Sequence, residues 1–114
     1  MFKKALELCP GEKCTDTQKA IEYLDDAIKL KPNFAGAYNN RGNAYCDLVQ
    51  YKRAIEDYNV AINLNPDFAN AFVNRGNAYL SSGNKELGCS DVKKACDLGL
   101  CPALEAAKKK GACP

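Results

Sequence analysis

The sequence predicts an all-α protein built as a solenoid of antiparallel helix pairs, and two observations predict it. First, residues 40–45 return unchanged as residues 74–79, an offset of 34, and residues 33–46 match residues 67–80 at nine of fourteen positions. Second, apolar residues recur at helical spacing within each unit, and no long stretch alternates with a period of two. A repeat of this length is typical of helix pairs that bury their apolar faces against neighbouring pairs.

The boundary between successive units is marked by proline. Pro32 and Pro66 cannot continue the helices that precede them, so each predicts a helix end. The residues that follow, Asn33 and Asp67, have side-chain oxygens suited to capping the next helix, and we expect them to do so.

Both ends of the chain depart from the repeat. Residues Phe2–Leu8 predict a short helix, followed by a loop over Cys9–Thr17; the alternative is that the chain begins with the tail of a preceding repeat. At the other end, Pro102 suits the first turn of a helix that would run to Lys110 and stop at Gly111. Such atypical ends are expected of capping segments in a solenoid.

Glycine interrupts the helical pattern at equivalent positions of two units. Gly42 and Gly76 each cost about 1 kcal/mol relative to alanine inside a helix. Close approach of a neighbouring helix is the physical reason to accept that cost. We therefore predict that Gly76→Leu overpacks a helix pair.

The central unit resembles the tetratricopeptide repeat family, whose 34-residue pattern alternates small, aromatic and closing proline positions. The resemblance implies a right-handed solenoid of about two and a half repeats plus a C-terminal capping helix. It divides the single domain 1–114 into a degenerate first repeat (1–34), a full repeat (35–68), a second full repeat with a degenerate end (69–101) and the cap (102–114). The matching positions are Tyr38, Gly42, Tyr45, Ala54, Tyr58, Ala61 and Pro66.

The first helix of each pair is expected to line a concave groove that is rich in asparagine. Asparagine is a mediocre helix former, so helix propensity alone does not explain its frequency there. Its amide can pair with the backbone of an extended peptide. The resemblance implies the same, since an asparagine at the position of Asn40 and Asn74 contacts bound peptide backbone in family members. The predicted groove residues are Asn39, Asn40, Asn43, Asp47, Asn70, Val73, Asn74 and Asn77.

A structural alternative stands beside this interpretation. The same amides could cross-link neighbouring helices through hydrogen bonds. Arg41 and Arg75 are expected to lay their stems on neighbouring helices and to pair with acidic residues.

Seven cysteines leave three alternatives open: disulfides, reduced buried thiols or a metal site. A metal site is disfavoured because the chain has no histidine and no C-x-x-C motif. One disulfide could staple the N-terminal loop and another the C-terminal cap, with Cys46 as the expected free thiol. Connectivity does not follow from sequence. The candidates for disulfides are Cys9, Cys14, Cys89, Cys96, Cys101 and Cys113.

Composition narrows the classes of function. The net charge of +2 gives no reason to expect nucleic-acid binding, and no apolar run is long enough for membrane insertion. The absence of histidine removes the common nucleophile–base arrangements, so we expect no enzyme and no cofactor. The cysteine content favours a periplasmic or secreted location, and no signal peptide is visible in this chain.

The predicted function is a non-catalytic interaction module that binds a peptide segment of a partner protein in its concave groove. The alternative is a self-assembly module, a homo-oligomer stacking through its terminal helices, with Phe2, Leu6 and Leu8 as the contact surface.

Overall fold

The computed structural model describes the chain from residue 12 to residue 114, with side chains from residue 16 onwards. Within that range there are six helices and no strand, as an all-α solenoid requires. The chain order is α1 (Glu12–Leu30), α2 (Ala35–Asp47), α3 (Tyr51–Leu64), α4 (Ala69–Ser81), α5 (Lys85–Asp97) and α6 (Pro102–Lys109).

Each helix packs mainly on the helices that precede and follow it in the chain. The pairs α2–α3 and α4–α5 form the tightest contacts, and α2 also contacts α4 directly. This nearest-neighbour packing is typical of a solenoid, in which every unit touches only the next. No helix in the described part of the chain is both long and apolar enough to cross a membrane.

Two expectations about helix ends are wrong. The predicted loop over Cys9–Thr17 is helical from Glu12 onwards, while the predicted helix Phe2–Leu8 lies outside the described residues. The expected caps Asn33 and Asp67 do not cap. Phe34 and Phe68 occupy the N-cap positions of α2 and α4 without a side-chain hydrogen bond, one residue later than the prolines suggested.

The turn between paired helices places one residue in the left-handed region of backbone space. Gly83 adopts φ +91° between α4 and α5, and the equivalent turn between α2 and α3 holds Val49 at φ +60°. A β-branched residue is strained in this conformation, whereas glycine is not.

Replacing Val49 by glycine is therefore expected to raise the free energy of unfolding by about 1 kcal/mol. The side chain is 69% exposed, so little packing is lost. Chemical denaturation would measure the change. Val60→Gly, in the exposed interior of α3, is the matched control and should cost about 1 kcal/mol instead; destabilisation by both substitutions would contradict the strain at residue 49.

The two helix glycines lie where neighbouring helices approach closely, as predicted. A Cβ built on Gly42 would fall 2.5 Å from Cε1 of Tyr58, a ring that is 1% exposed. A Cβ on Gly76 would fall 3.0 Å from the carbonyl oxygen of Gly88 and 3.0 Å from Cγ1 of Val92. Both glycines thus allow the two helices of a pair to pack at short range.

Arg41 joins three helices through its guanidinium group. Nε and Nη2 donate to the two carboxylate oxygens of Asp57 on α3, at 2.9 and 2.7 Å, and Nη1 donates to Asp25 on α1 at 2.9 Å. The hydrogen bonds to Asp57 raise the pKa of Arg41 further above its usual value. The arginine therefore stays charged and links α2 to α1 and to α3.

The same arrangement returns one repeat later. Nε and Nη2 of Arg75 donate to the carboxylate of buried Asp91 on α5, both at 2.8 Å, and Nη1 donates to Asn59 on α3 at 2.9 Å. The predicted pairing of both arginines with acidic residues is confirmed. A bidentate arginine–carboxylate pair fixes orientation as well as distance, so it sets the packing angle of each helix pair.

The C-terminal helix α6 is held against α5 by disulfides and by a small apolar cluster. Pro102 occupies its first turn and Gly111, at φ +76°, follows its end, so its predicted bounds are correct to within one residue. Cys96 pairs with Cys101 and Cys89 with Cys113. The buried cluster contains Cys89, Val92, Ala107 and Cys113.

The remaining cysteines differ in what the structure describes of them. Cys46 has no disulfide partner among the described residues and is half-buried. Cys9 and the side chain of Cys14 lie outside the described residues, so the N-terminal staple stays a prediction.

Candidate peptide-binding groove

The helices α2 and α4 present equivalent residues at spacings of four, three and four, which places them on one face of each helix. Because α2 and α4 are in contact, the two faces lie side by side. We call this combined surface the groove face. Its residues are Gly36, Asn40, Asn43 and Asp47 on α2 and Asn70, Asn74, Asn77 and Ser81 on α4.

One predicted pair of groove residues links the two helices. Nδ2 of Asn74 donates to Oδ1 of Asn39 at 3.0 Å, and Asn39 is 7% exposed. A buried amide without a partner is costly, so this bond supports the packing of α2 on α4. For these two asparagines the structural alternative describes the observed contact.

The side-chain amide of Asn43 forms one hydrogen bond with the described residues, through its oxygen. Its Oδ1 accepts a hydrogen bond of 2.6 Å from the hydroxyl of Tyr58, which also lies 3.4 Å from Sγ of Cys46. Burial raises the pKa of Tyr58 well above its usual range, and it raises the pKa of the Cys46 thiol as well. Both groups are therefore protonated at neutral pH, and the Tyr58 hydroxyl can donate to Asn43.

Three other amides are exposed. The side-chain amides of Asn40, Asn70 and Asn77 make no hydrogen bond with any residue that the structure describes. Their donors and acceptors face solvent, where they can pair with a ligand. The structure thus divides the predicted asparagines into a set whose amides are bonded within the fold and a set whose amides are exposed and unpaired among the described residues.

The two other predicted groove residues differ in character. Val73 is half-buried at the position equivalent to Asn39 and offers no polar group. Asp47 is exposed in the last turn of α2, where the helix dipole disfavours a negative charge.

Two clefts open where the groove face meets neighbouring helices. A cleft of about 350 Å³ between α1 and α2 contains Asn40, Asn43 and Asp47 among its lining residues. A second cleft of about 450 Å³ between α4 and α6 is lined by Asn77 and Ser81 on one side. Volumes of this size are typical of ligand sites.

Sequence reasoning missed the contribution of α6 to the second cleft. Ala103, Ala106 and Lys110 form its other wall. The signal was present in the period, because Ala103 follows Ala69, the first residue of α4, by 34 residues. The C-terminal helix therefore continues the series of inner helices while it caps the domain.

Asn74→Ala is expected to lower the free energy of unfolding by about 1–2 kcal/mol, because it leaves the buried Asn39 amide without its partner. Thermal unfolding measures the effect. Asn40→Ala is the control and should be neutral or slightly stabilising, since alanine is the better helix former; equal stability of the two variants would contradict the assignment.

Antiparallel helix pairs repeated every 34 residues, with unpaired side-chain amides on their inner helices, define a helical-repeat solenoid. Comparison with protein families identifies the repeat: residues 42–83 match a TPR repeat model and residues 11–34 match a tetratricopeptide repeat model. The chain belongs to the tetratricopeptide repeat family. Domains of this family are protein-interaction modules and are generally non-catalytic.

Solved structures agree with this assignment. The chain is similar to the Arabidopsis OM64 TPR domain, with 26% identity over 86% of this chain and 82% of that one, at a TM-score of 0.80. It is similar to MamA, with 32% identity over 83% of this chain and 52% of that one, at a TM-score of 0.70. A comparison with curated proteins gives no match.

A third structure is similar in fold alone. It is the TPR2B domain of yeast Sti1 in complex with pHsp70, with 23% identity over 84% of this chain and 77% of that one, at a TM-score of 0.73.

Proposed function

We propose that the groove face binds an extended peptide segment of a partner protein. The observation that carries the proposal is that Asn40, Asn70 and Asn77 are exposed on one face, unpaired within the described residues, and that Asn40 and Asn77 also line the clefts. Free amides lower helix propensity without stabilising the fold, and their clustering on one face beside the clefts supports a ligand site there.

The chemistry of the amide suits a peptide backbone. Each side-chain amide offers two donors and a carbonyl acceptor, which matches the alternating N–H and C=O groups of an extended chain. Such contacts do not depend on the side chains of the bound peptide. The clefts beside Asn40 and Asn77 provide room for those side chains.

The test uses peptides selected from a displayed random-peptide library on the wild-type protein. The variant Asn40→Ala with Asn77→Ala is expected to weaken their binding by about tenfold or more, since each lost hydrogen bond contributes about 1 kcal/mol. Fluorescence anisotropy measures the affinity, and circular dichroism checks the fold. Asn63→Ala, an exposed amide on the outer helix α3, is the control and should bind as the wild type does.

Unchanged affinity of the double variant would contradict the proposal, as would peptides whose binding responds equally to Asn63→Ala. The repeat makes Asn40 and Asn74 the equivalent pair, but the test variant changes Asn77 in place of Asn74. Asn74 is bonded to Asn39, so its substitution would alter the fold as well as the groove.

Self-assembly is a second candidate, and exposed apolar residues on α1 favour it. Tyr23 is 79% exposed and Leu30 is 88% exposed. The predicted contact residues Phe2, Leu6 and Leu8 lie outside the described residues. A molar mass that rises with concentration in light scattering, and that Leu30→Lys returns to the monomer value, would support this candidate; a constant monomer mass would exclude it.

We also propose an oxidising compartment, periplasmic or extracellular, as the working environment. The two disulfides that hold α6 support it, because such bonds persist where thiols are not kept reduced.

A further inference from the structure

The two clefts of the groove face carry opposite charge. Asp16 and Asp47 line the cleft between α1 and α2, and no cation lines it among the described residues. Among the described residues, Lys110 is the only charged residue that lines the cleft between α4 and α6. Over the part of the chain that the structure describes, the face is therefore acidic towards α1 and basic towards α6, although the net charge of the whole chain is only +2.

No contact among the described residues stabilises the negative charge of Asp47. It lies in the last turn of α2, where the negative end of the helix dipole opposes a carboxylate. Within the described part of the chain it forms no ion pair. Its charge therefore lowers helix stability and is available to a ligand.

At the other cleft, the positive charge of Lys110 is compatible with the helix dipole, unlike the negative charge of Asp47. Lys110 follows the last turn of α6, a position that favours a cation. It also lines the same cleft as Asn77 and Ser81, whose side-chain polar groups have no partner among the described residues. The cleft thus combines a positive charge and two neutral polar groups with an apolar floor that includes Leu80 and Ala107.

The distance between the clefts sets a spacing on the ligand. From the α1–α2 cleft to the α4–α6 cleft, the groove face crosses two helix spacings of about 8–10 Å each, or about 16–20 Å in all. An extended chain advances about 3.3 Å per residue, so about six residues span that distance.

We propose that the groove selects a peptide segment with a basic side chain for the α1–α2 cleft and an acidic side chain about six residues away for the α4–α6 cleft. The proposal rests on the peptide binding proposed above and adds its charge pattern and its direction along the groove. Neutral amides between the clefts hold the backbone, while the two charged ends fix which way the segment lies.

The test repeats the selection from a displayed random-peptide library with charge-swapped variants. Peptides selected on the wild type are expected to combine Lys or Arg with Asp or Glu about six residues apart. Asp47→Lys and Lys110→Glu should each weaken these peptides about three- to tenfold, since each swap replaces an exposed attraction by a repulsion. The double swap should select peptides with the opposite order of charges.

Matched controls carry the same changes of charge on outer helices. Asp26→Lys on α1 and Lys94→Glu on α5 are both exposed and line neither cleft, so they should leave peptide affinity within about twofold. Circular dichroism of each variant checks the fold.

Two negative results are distinguishable. Peptides that lose affinity in the Asn40→Ala, Asn77→Ala variant but show no charge pattern, or ignore both swaps, would overturn the charge selection and leave the groove as the binding site. Peptides that ignore the asparagine variant would overturn the groove itself, and the charge selection with it.

Discussion

Arg41→Met is expected to destabilise the domain by about 3 kcal/mol, because it leaves the carboxylate of Asp57 buried without its partner. Asp57 is 5% exposed and accepts both hydrogen bonds of the bidentate pair from Arg41. The substitution also releases Asp25 on α1, a more exposed carboxylate whose contribution is smaller. Chemical denaturation followed by circular dichroism measures the loss.

Two further variants separate charge from packing. Arg53→Met removes an exposed arginine that forms no ion pair in the described structure, and it should change stability by less than about 0.5 kcal/mol. Arg41→Met combined with Asp57→Leu should recover much of the loss, since no buried charge is then left unpaired. A single variant as stable as the wild type would show that the guanidinium group does not hold the three helices together.

Gly76→Leu is expected to cost about 3 kcal/mol or to prevent folding, because the helices α4 and α5 have no room for a side chain there. A Cβ at residue 76 would lie 3.0 Å from the carbonyl oxygen of Gly88 and 3.1 Å from the Cβ of Asp91. Backbone on the facing helix cannot move aside as a flexible side chain does. The melting temperature measures the effect.

Gly36→Leu is the matched control on the equivalent inner helix. Among the described residues, the only side chain within reach of a Cβ there is that of Phe34, at 3.3 Å, and Phe34 is exposed. The change should cost less than about 1 kcal/mol, since leucine is the better helix former. Similar melting temperatures for the Gly36 and Gly76 variants would contradict the packing assigned to the helix pairs.

The groove face shows which relations between residues the sequence pattern predicts and which it does not. Helical spacing placed Asn40, Asn43 and Asp47 on one face of α2 correctly, because that relation depends only on the helix period. It did not separate Asn40, which is exposed and unpaired among the described residues, from Asn39, which is buried against Asn74. These last two residues are 35 positions apart, and their contact exists only because α2 packs on α4.

Patterns along the chain were enough to predict the helix pairs, their 34-residue period and the glycines where the helices meet. These features are local or are repeated along the chain, so spacing and side-chain size reveal them. Packing between helices was needed to show which asparagines are paired, which cysteines form disulfides, and that Lys110 and Asn77 line the same cleft. Those relations depend on the angles at which separate helices cross, and no local pattern in the sequence records such angles.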